Sequence, residues 1–211
     1  MKEINFLFII GKGGSGKDTQ ADLLREEIDG SVRISTGNIY RGARTVDGEY
    51  GRFHYLIGPY VSHVDNGGYL PDKLIVSVVK EVVREMIEEG KTTFIFTGFP
   101  RTEGQLDLVD EMLDELRVAF VVHEEHIYFR VGDETSRERA RKRRERDLVS
   151  GKAPRKDDLD DVLDNRLEVF ADLTMPMIKR LVGESRLLSI SAERGIDEVR
   201  AETGLRIRIE R

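Results

Sequence analysis

Apolar positions follow two rhythms along this chain. Short runs at Ile4 to Ile10, Ser31 to Ser35, Thr93 to Thr97, His126 to Val131 and Arg186 to Ile190 have the length and the Ile, Val and Phe content of buried strands. Between them the spacing changes to three and four. From Asp72 to Glu89, the residues Leu74, Ile75, Val78, Val79, Val82, Val83, Met86 and Ile87 recur on one helical face, with Asp72 placed to cap the helix and Gly90 to stop it. Lys17 to Ile28 reads as another helix. Asp157 to Val182 reads as a longer one, with Leu159, Leu163, Leu167, Phe170 and Leu173 turned inward and a kink or restart at Pro176. Strands alternating with helices predict an α/β fold: a parallel sheet covered on both faces, with ligands in the crevice beyond the strands' carboxyl ends. Two stretches break the alternation, Gly42 to Gly68 and Arg146 to Lys156. Both read as mobile excursions over that crevice.

Composition narrows the function classes. A chain of 211 residues with 39% hydrophobic content suits a single domain with a sizeable core. Charged residues make up 35% at a net charge of −6, so both signs are dense, and a mainly nucleic-acid-binding protein is disfavoured. The absence of cysteine excludes disulfides, a thiol nucleophile and a thiolate metal site, and is compatible with a reducing cytoplasm. Phe6 to Ile10 is too short for a signal segment or membrane span, so a soluble cytoplasmic protein without a membrane partner is expected. His54, His63, His123 and His126 lack metal-ligand spacing and read as structural, and Met175-Pro176-Met177 reads as core and kink.

The strongest chemical signal is Gly11-Lys-Gly-Gly-Ser-Gly-Lys-Asp-Thr19, which fits G-x-x-x-x-G-K between a predicted strand and a predicted helix. Glycines let successive N–H groups turn inward onto a β-phosphate, the helix N-terminus adds positive potential, and Lys17 reaches the β and γ oxygens. Gly11, Gly14, Ser15, Gly16, Lys17, Asp18 and Thr19 are therefore the candidate ATP loop. Asp18 stands where such loops usually place the hydroxyl that meets Mg²⁺.

From this loop onward the sequence resembles adenylate kinase over most of its length. Ser35-Thr36-Gly37-Asn38-Ile39-Tyr40-Arg41 is similar to the family's S-T-G-D-x-x-R, Gly68-Tyr69-Leu70-Pro71-Asp72 to its G-x-L-V-P-D, and Thr97-Gly98-Phe99-Pro100-Arg101-Thr102 with Gln105 to its D-G-F-P-R-T-x-x-Q. The resemblance implies an AMP site at Thr36, Arg41, Gly68, Tyr69, Leu70, Gly98, Phe99, Pro100, Arg101 and Gln105, joined by Arg155 and Arg166. Asp133-Glu134 through Arg139 and Arg143 looks like the helix whose arginines meet ATP. By composition alone, Arg137 to Arg146 would be a solvated helix or a nucleic-acid face. Arg155-Lys156-Asp157-Asp158 and Arg166-Leu167-Glu168-Val169-Phe170 resemble R-x-D-D and R-L-x-x-Y, and Arg194 falls where relatives touch the ATP base through the main chain.

The resemblance implies a three-layer P-loop kinase fold with about five strands. It also implies an AMP-binding excursion at about 36–71 and a short lid at about 144–156 without the zinc insertion of long-lid relatives. The expected reaction is transfer of the ATP γ-phosphate to AMP by a monomer using Mg²⁺, with Lys17, Arg101, Arg143, Arg155 and Arg166 as catalytic residues. Thr36 and Gln105 lean to AMP over UMP or CMP. Thr97 and Asn38 stand where the family has aspartates, which leaves a weak nucleotide-binding sensor as an alternative and Asp18 as either a metal anchor or a helix-capping group.

Overall fold

The structure, a computed structural model, describes residues 1–207. Five strands, β1 (Glu3–Ile10), β2 (Ser31–Ser35), β3 (Thr93–Thr97), β4 (Val121–Arg130) and β5 (Leu187–Ser191), form one all-parallel sheet in the order β2-β3-β1-β4-β5. Central β1 is apolar on both faces because both are covered. Phe6 and Phe8 stack on Phe94 and Phe96 at 5.0 Å each, beneath the helices α5 (Asp72–Glu88) and α6 (Glu103–Arg117). On the other face Leu7 and Ile9 pack with Ala21 and Leu24 of α1 (Lys17–Glu27) and Val199 of α10 (Ile196–Arg206).

Between β2 and α5 the chain makes only short helices, α2 (Thr36–Gly42), α3 (His54–Ile57) and α4 (Val61–Asp65). After β4 come α7 (Asp133–Val149), α8 (Asp160–Val169) and α9 (Met175–Gly183).

The expected elements hold, with corrections that have local causes. β4 starts at Val121 rather than His126; its first half carries His123, Glu124 and Glu125, a polar run that hides a strand, and Glu124 there is held by Arg117 and Arg186. α7 continues to Val149, so the stretch expected as loop from Arg146 begins helical.

The long helix expected from Asp157 instead starts with a 3₁₀ turn at Lys156–Asp158 and contains a π-helical segment, Phe170–Thr174. Pro176 follows, with no N–H to bond back to the preceding turn. Five residues in a π turn rotate the helical face. Leu173 is accordingly exposed, Leu159 is exposed at the N-cap of α8, and Leu163, Leu167 and Phe170 stay buried. Asp72 does not cap its helix, since Pro71 holds the N-cap, whereas Gly90 stops it as expected at φ +89°.

Candidate active site

Two loops leave adjacent strands at the carboxyl end of the sheet and build the site. The first runs from Gly11, where a side chain would meet Ser15 Oγ at 2.6 Å, to Gly16, which takes the left-handed conformation (φ +81°) at the N-cap of α1. Ser15 is buried and its hydroxyl oxygen has no partner within the chain. A buried polar atom left in this state next to a helix N-terminus fits an oxyanion ligand. Lys17 Nζ donates to the Lys12 carbonyl at 3.3 Å and lies 3.7 Å from Asp18. Burial pushes the Lys17 ammonium below its ordinary value, Asp18 opposes, and Arg101, Arg166 and Arg143 add repulsion.

The second loop starts at Gly98, in the left-handed region (φ +69°), and brings Arg101 back against it: Arg101 Nε donates to the Gly98 carbonyl at 2.5 Å. The Arg101 guanidinium lies 4.9 Å from the centre of the Tyr69 ring. It too is pushed down, first by burial and then by repulsion from Arg166.

Gln105 is buried at the start of α6 and tied at both ends of its amide. Its Nε2 donates to Asp72 at 2.9 Å and its Oε1 accepts from the Arg101 backbone N–H at 2.8 Å. The Thr36 hydroxyl donates to the Gly98 carbonyl at 2.9 Å.

These residues line two cavities that share Tyr69, Gly98 and Arg101. One adjoins the phosphate loop, with Gly11, Lys17, Pro100 and Arg166 in its wall. The other holds Thr36, Arg41, Gly68, Leu70, Gln105 and Arg155. Arg143 and Asp158 form a two-pronged pair with Nε to Oδ2 at 2.7 Å, and Asp158 is buried. Arg139 clamps the loop from α7 by donating to the carbonyls of Gly14 (3.0 Å) and Ala192 (2.9 Å).

Two expected residues sit differently. Phe99 is wholly buried against Phe8 and Phe96 in the core, and Pro100 lines the cavity at the phosphate loop rather than the one at Thr36. The Arg194 side chain turns to Glu202 on α10, which leaves the main-chain contact expected of it unaffected.

Further contacts join the segments around the site, and two of their residues, Asp65 and Ser136, match no motif position. Asp65 accepts from Tyr40 (2.7 Å), Arg44 (2.8 Å) and Lys156 (2.8 Å), joining the α2–α4 excursion to the segment after α7. Asp157 adds to that junction at 3.8 Å from Arg41 and 3.2 Å from Arg166. Ser136 donates to the Gly13 carbonyl, holding α7 to the loop.

Asp18 reaches across to β3, where Thr97 Oγ1 donates to its Oδ1 at 2.9 Å and Arg33 lies 3.4 Å away. Burial pushes this carboxyl up, but Lys17, the Thr97 hydrogen bond and Arg33 outweigh it and hold it at about 2. Among the described residues no three His, Cys, Asp or Glu side chains gather as a metal site, and no helix is long and apolar enough to cross a membrane.

Known proteins are similar to this chain in sequence. The chain is similar to the uridylate kinase of Schizosaccharomyces pombe, 30% identical over 199 residues that cover 94% of this chain and 95% of that one. It is similar to the adenylate kinase of Nautilia profundicola, 30% identical over 195 residues with 90% of each chain covered. With the adenylate kinase of Hyphomonas neptunium it shares 32% over 198 residues, covering 93% and 94%. The family model described as adenylate kinase matches residues 9–184, a span that contains both site loops and Arg139, Arg143, Arg155 and Arg166 after them, and the chain therefore belongs to the adenylate kinase family of nucleoside monophosphate kinases.

Proposed function

We propose that the chain transfers the γ-phosphate of ATP to AMP, giving two ADP. The observation that carries the choice of AMP is the doubly tied Gln105 amide at the wall of the second cavity. A free amide could rotate by a half-turn and pair with either adenine or uracil, since it offers one donor and one acceptor edge. Ties to Asp72 and to the Arg101 N–H remove that freedom, so one base pattern is selected. Adenine, with its N6 donor beside a ring acceptor, is the base assigned to it.

In this reading Lys17, the loop amides and the Ser15 hydroxyl hold the donor's β- and γ-phosphates, and Arg139 sits over the loop. Arg101 and Arg41 hold the acceptor phosphate. An oxygen of that phosphate, already ionised at neutral pH, bonds to the γ-phosphorus as the bond to the bridging oxygen breaks, and ADP leaves. Arg143, Arg155 and Arg166 offset the charge that spreads over the transferring group. No general base is needed. The excursion spanning α2 to α4 covers AMP and the segment after α7 covers ATP, and the Asp65–Lys156 contact brings the two together against water.

The residues present fit Mg²⁺ carried by ATP: the ionised Asp18 carboxylate, beside the Thr97 hydroxyl, would hold the ion through its water. When bound, the ion would supply positive charge that offsets the charge of the donor phosphates.

A UMP-directed enzyme is the second reading, favoured by the relative named uridylate kinase and by the Thr36 hydroxyl, which gives its proton to Gly98 rather than to a base. Rates of diphosphate formation from AMP, UMP and CMP with Mg²⁺ and ATP decide between them. AMP is expected to give the highest kcat/KM, and a higher value for UMP or CMP removes the AMP assignment while leaving the kinase reading intact.

A further inference from the structure

We infer that Tyr69 is a positioning residue for the acceptor, acting through Arg101; the inference rests on the kinase reading above. Tyr69 stands in the wall that the two cavities share, so its ring lies beside the line along which the phosphoryl group would pass. The ring supports the Arg101 guanidinium at 4.9 Å from its centre. A guanidinium over an aromatic face keeps its in-plane N–H donors free, whereas a carboxylate partner would occupy them. Arg101 is further restrained on one edge by the bond from Nε to the Gly98 carbonyl, at 2.5 Å. Together the ring below and the carbonyl at one edge fix both the plane and the rotation of the group, and its Nη donors, of which Nη2 makes one long bond of 3.4 Å to the Thr36 hydroxyl, meet no carboxylate and stay available to a phosphate.

The ring is itself held from the far side. The Tyr69 hydroxyl and Thr174 Oγ1 are 3.1 Å apart, and Thr174 is wholly buried. Thr174 closes the π-helical segment Phe170–Thr174 just ahead of Met175 and Pro176. A regular α-helical turn in place of that segment would present a different residue to Tyr69. The irregularity near Pro176 thus serves the site: it sets Thr174, Thr174 sets the Tyr69 ring, and the ring sets Arg101.

The test uses the full-length enzyme and reads AMP and ATP kinetics separately for Tyr69→Leu, Tyr69→Phe, Thr174→Val and the pair Arg101→Ala with Tyr69→Leu. Tyr69→Leu is expected to lower kcat/KM for AMP by roughly 10-fold and leave KM for ATP within about 2-fold, since only the acceptor's arginine loses its support. Tyr69→Phe restores the ring and is expected to recover all but about 3-fold of the loss, and Thr174→Val matches it because both remove one hydroxyl tie. Added to Arg101→Ala, Tyr69→Leu is expected to cost less than about 2-fold more, as residues acting in series are not additive. Penalties that multiply in the double variant, or a KM for ATP that rises as much as that for AMP, overturn the positioning role. A Tyr69→Leu protein that does not fold is answered by the milder pair: Thr174→Val and Tyr69→Phe without an AMP-selective loss overturn the role equally. A wild-type enzyme that phosphorylates no monophosphate overturns the kinase reading and this inference with it.

Discussion

At the amino end of the sheet, Arg186 donates to Asp110 and Glu124 at 2.6 Å each and to Glu184 at 3.1 Å, and the hydrogen bond to Asp110 leads the causes that push its guanidinium far above the ordinary value. At the carboxyl end, Lys17 and Arg101 are pushed the other way, first by burial and then by the arginines around them. Cations stand at opposite ends of the same sheet in opposite electrostatic states. Cations matched by carboxylates within the chain are held in place by their partners and serve stability. Cations gathered without enough anions raise the energy of the unliganded fold, and a phosphate relieves them. Charge density alone would rank the two ends alike; the count of partners separates them.

The sharpest way to break this contrast is to remove cations from each end in turn. Lys17→Ala and Arg101→Ala are each expected to lower kcat/KM by at least ~10²-fold, because each deletes a charge-assisted contact in a site that excludes water. Their melting temperatures should hold or rise, since a repelled charge has gone. Arg186→Ala should keep kcat and melt earlier, because Asp110 and Glu124 lose their common partner. Near-normal activity in either site variant, or a lost kcat in Arg186→Ala, would erase the distinction.

How far the sequence reached follows the same division. The phosphate loop was legible because its glycines, Lys17 and the flanking strand and helix lie within one short window, and each demand is local. The central sheet was legible because β1 and β3, covered on both faces, read as apolar runs. What stayed hidden depends on contacts distant in sequence. Asp65 looked like one more surface carboxylate until Tyr40, Arg44 and Lys156 converged on it. Phe99 sits inside the same motif as Arg101 yet serves the core, since its ring packs against Phe8 on β1 and Phe96 on β3. The first half of β4 went unread because its polar residues look solvated along the chain, whereas Glu124 is paired by Arg117 at the end of α6 and by Arg186 immediately before β5.

Glu124 supplies the pH-dependent test of the matched end. Burial pushes its carboxyl up, but His126 and Arg186 outweigh that and hold it at about 2, against an ordinary value of 4.5. With the folded value below the unfolded one, the unfolded chain binds the proton more readily. The stabilisation is therefore complete above about 4.5 and is lost as pH falls towards about 2. Glu124→Gln should lose roughly 2–3 kcal/mol at pH 7 by chemical denaturation, and the gap to wild type should close across that acidic window. A gap that is constant with pH would mean that the pairing around Arg186 contributes shape rather than charge.

The smallest expected effect concerns Asp18, the carboxylate next to Lys17 at the end of the phosphate loop. Gly16 holds the N-cap of α1 without a side-chain bond, and the Asp18 carboxylate turns to Thr97 and Arg33, so capping does not explain its position. Its depressed value keeps it ionised at any working pH. It places a negative charge at the carboxyl end of β3, where Thr97 itself is neutral, and that is the setting in which a carboxylate steadies the water shell of a phosphate-bound Mg²⁺. Asp18→Asn preserves shape and removes charge. It is expected to raise the Mg²⁺ concentration for half-maximal activity by roughly 3–10-fold, with a parallel rise in the Mg²⁺ needed for ATP to increase the melting temperature. Thr97→Asp in the Asp18→Asn background returns a carboxylate from the neighbouring strand and should restore both midpoints. In the native background the same Thr97→Asp change sets two carboxylates within reach of each other and should lower the melting temperature instead. An unchanged Mg²⁺ midpoint in Asp18→Asn would show that the carboxylate serves only to hold Arg33 and Thr97, and the loop's cations would then be relieved by nucleotide phosphate alone.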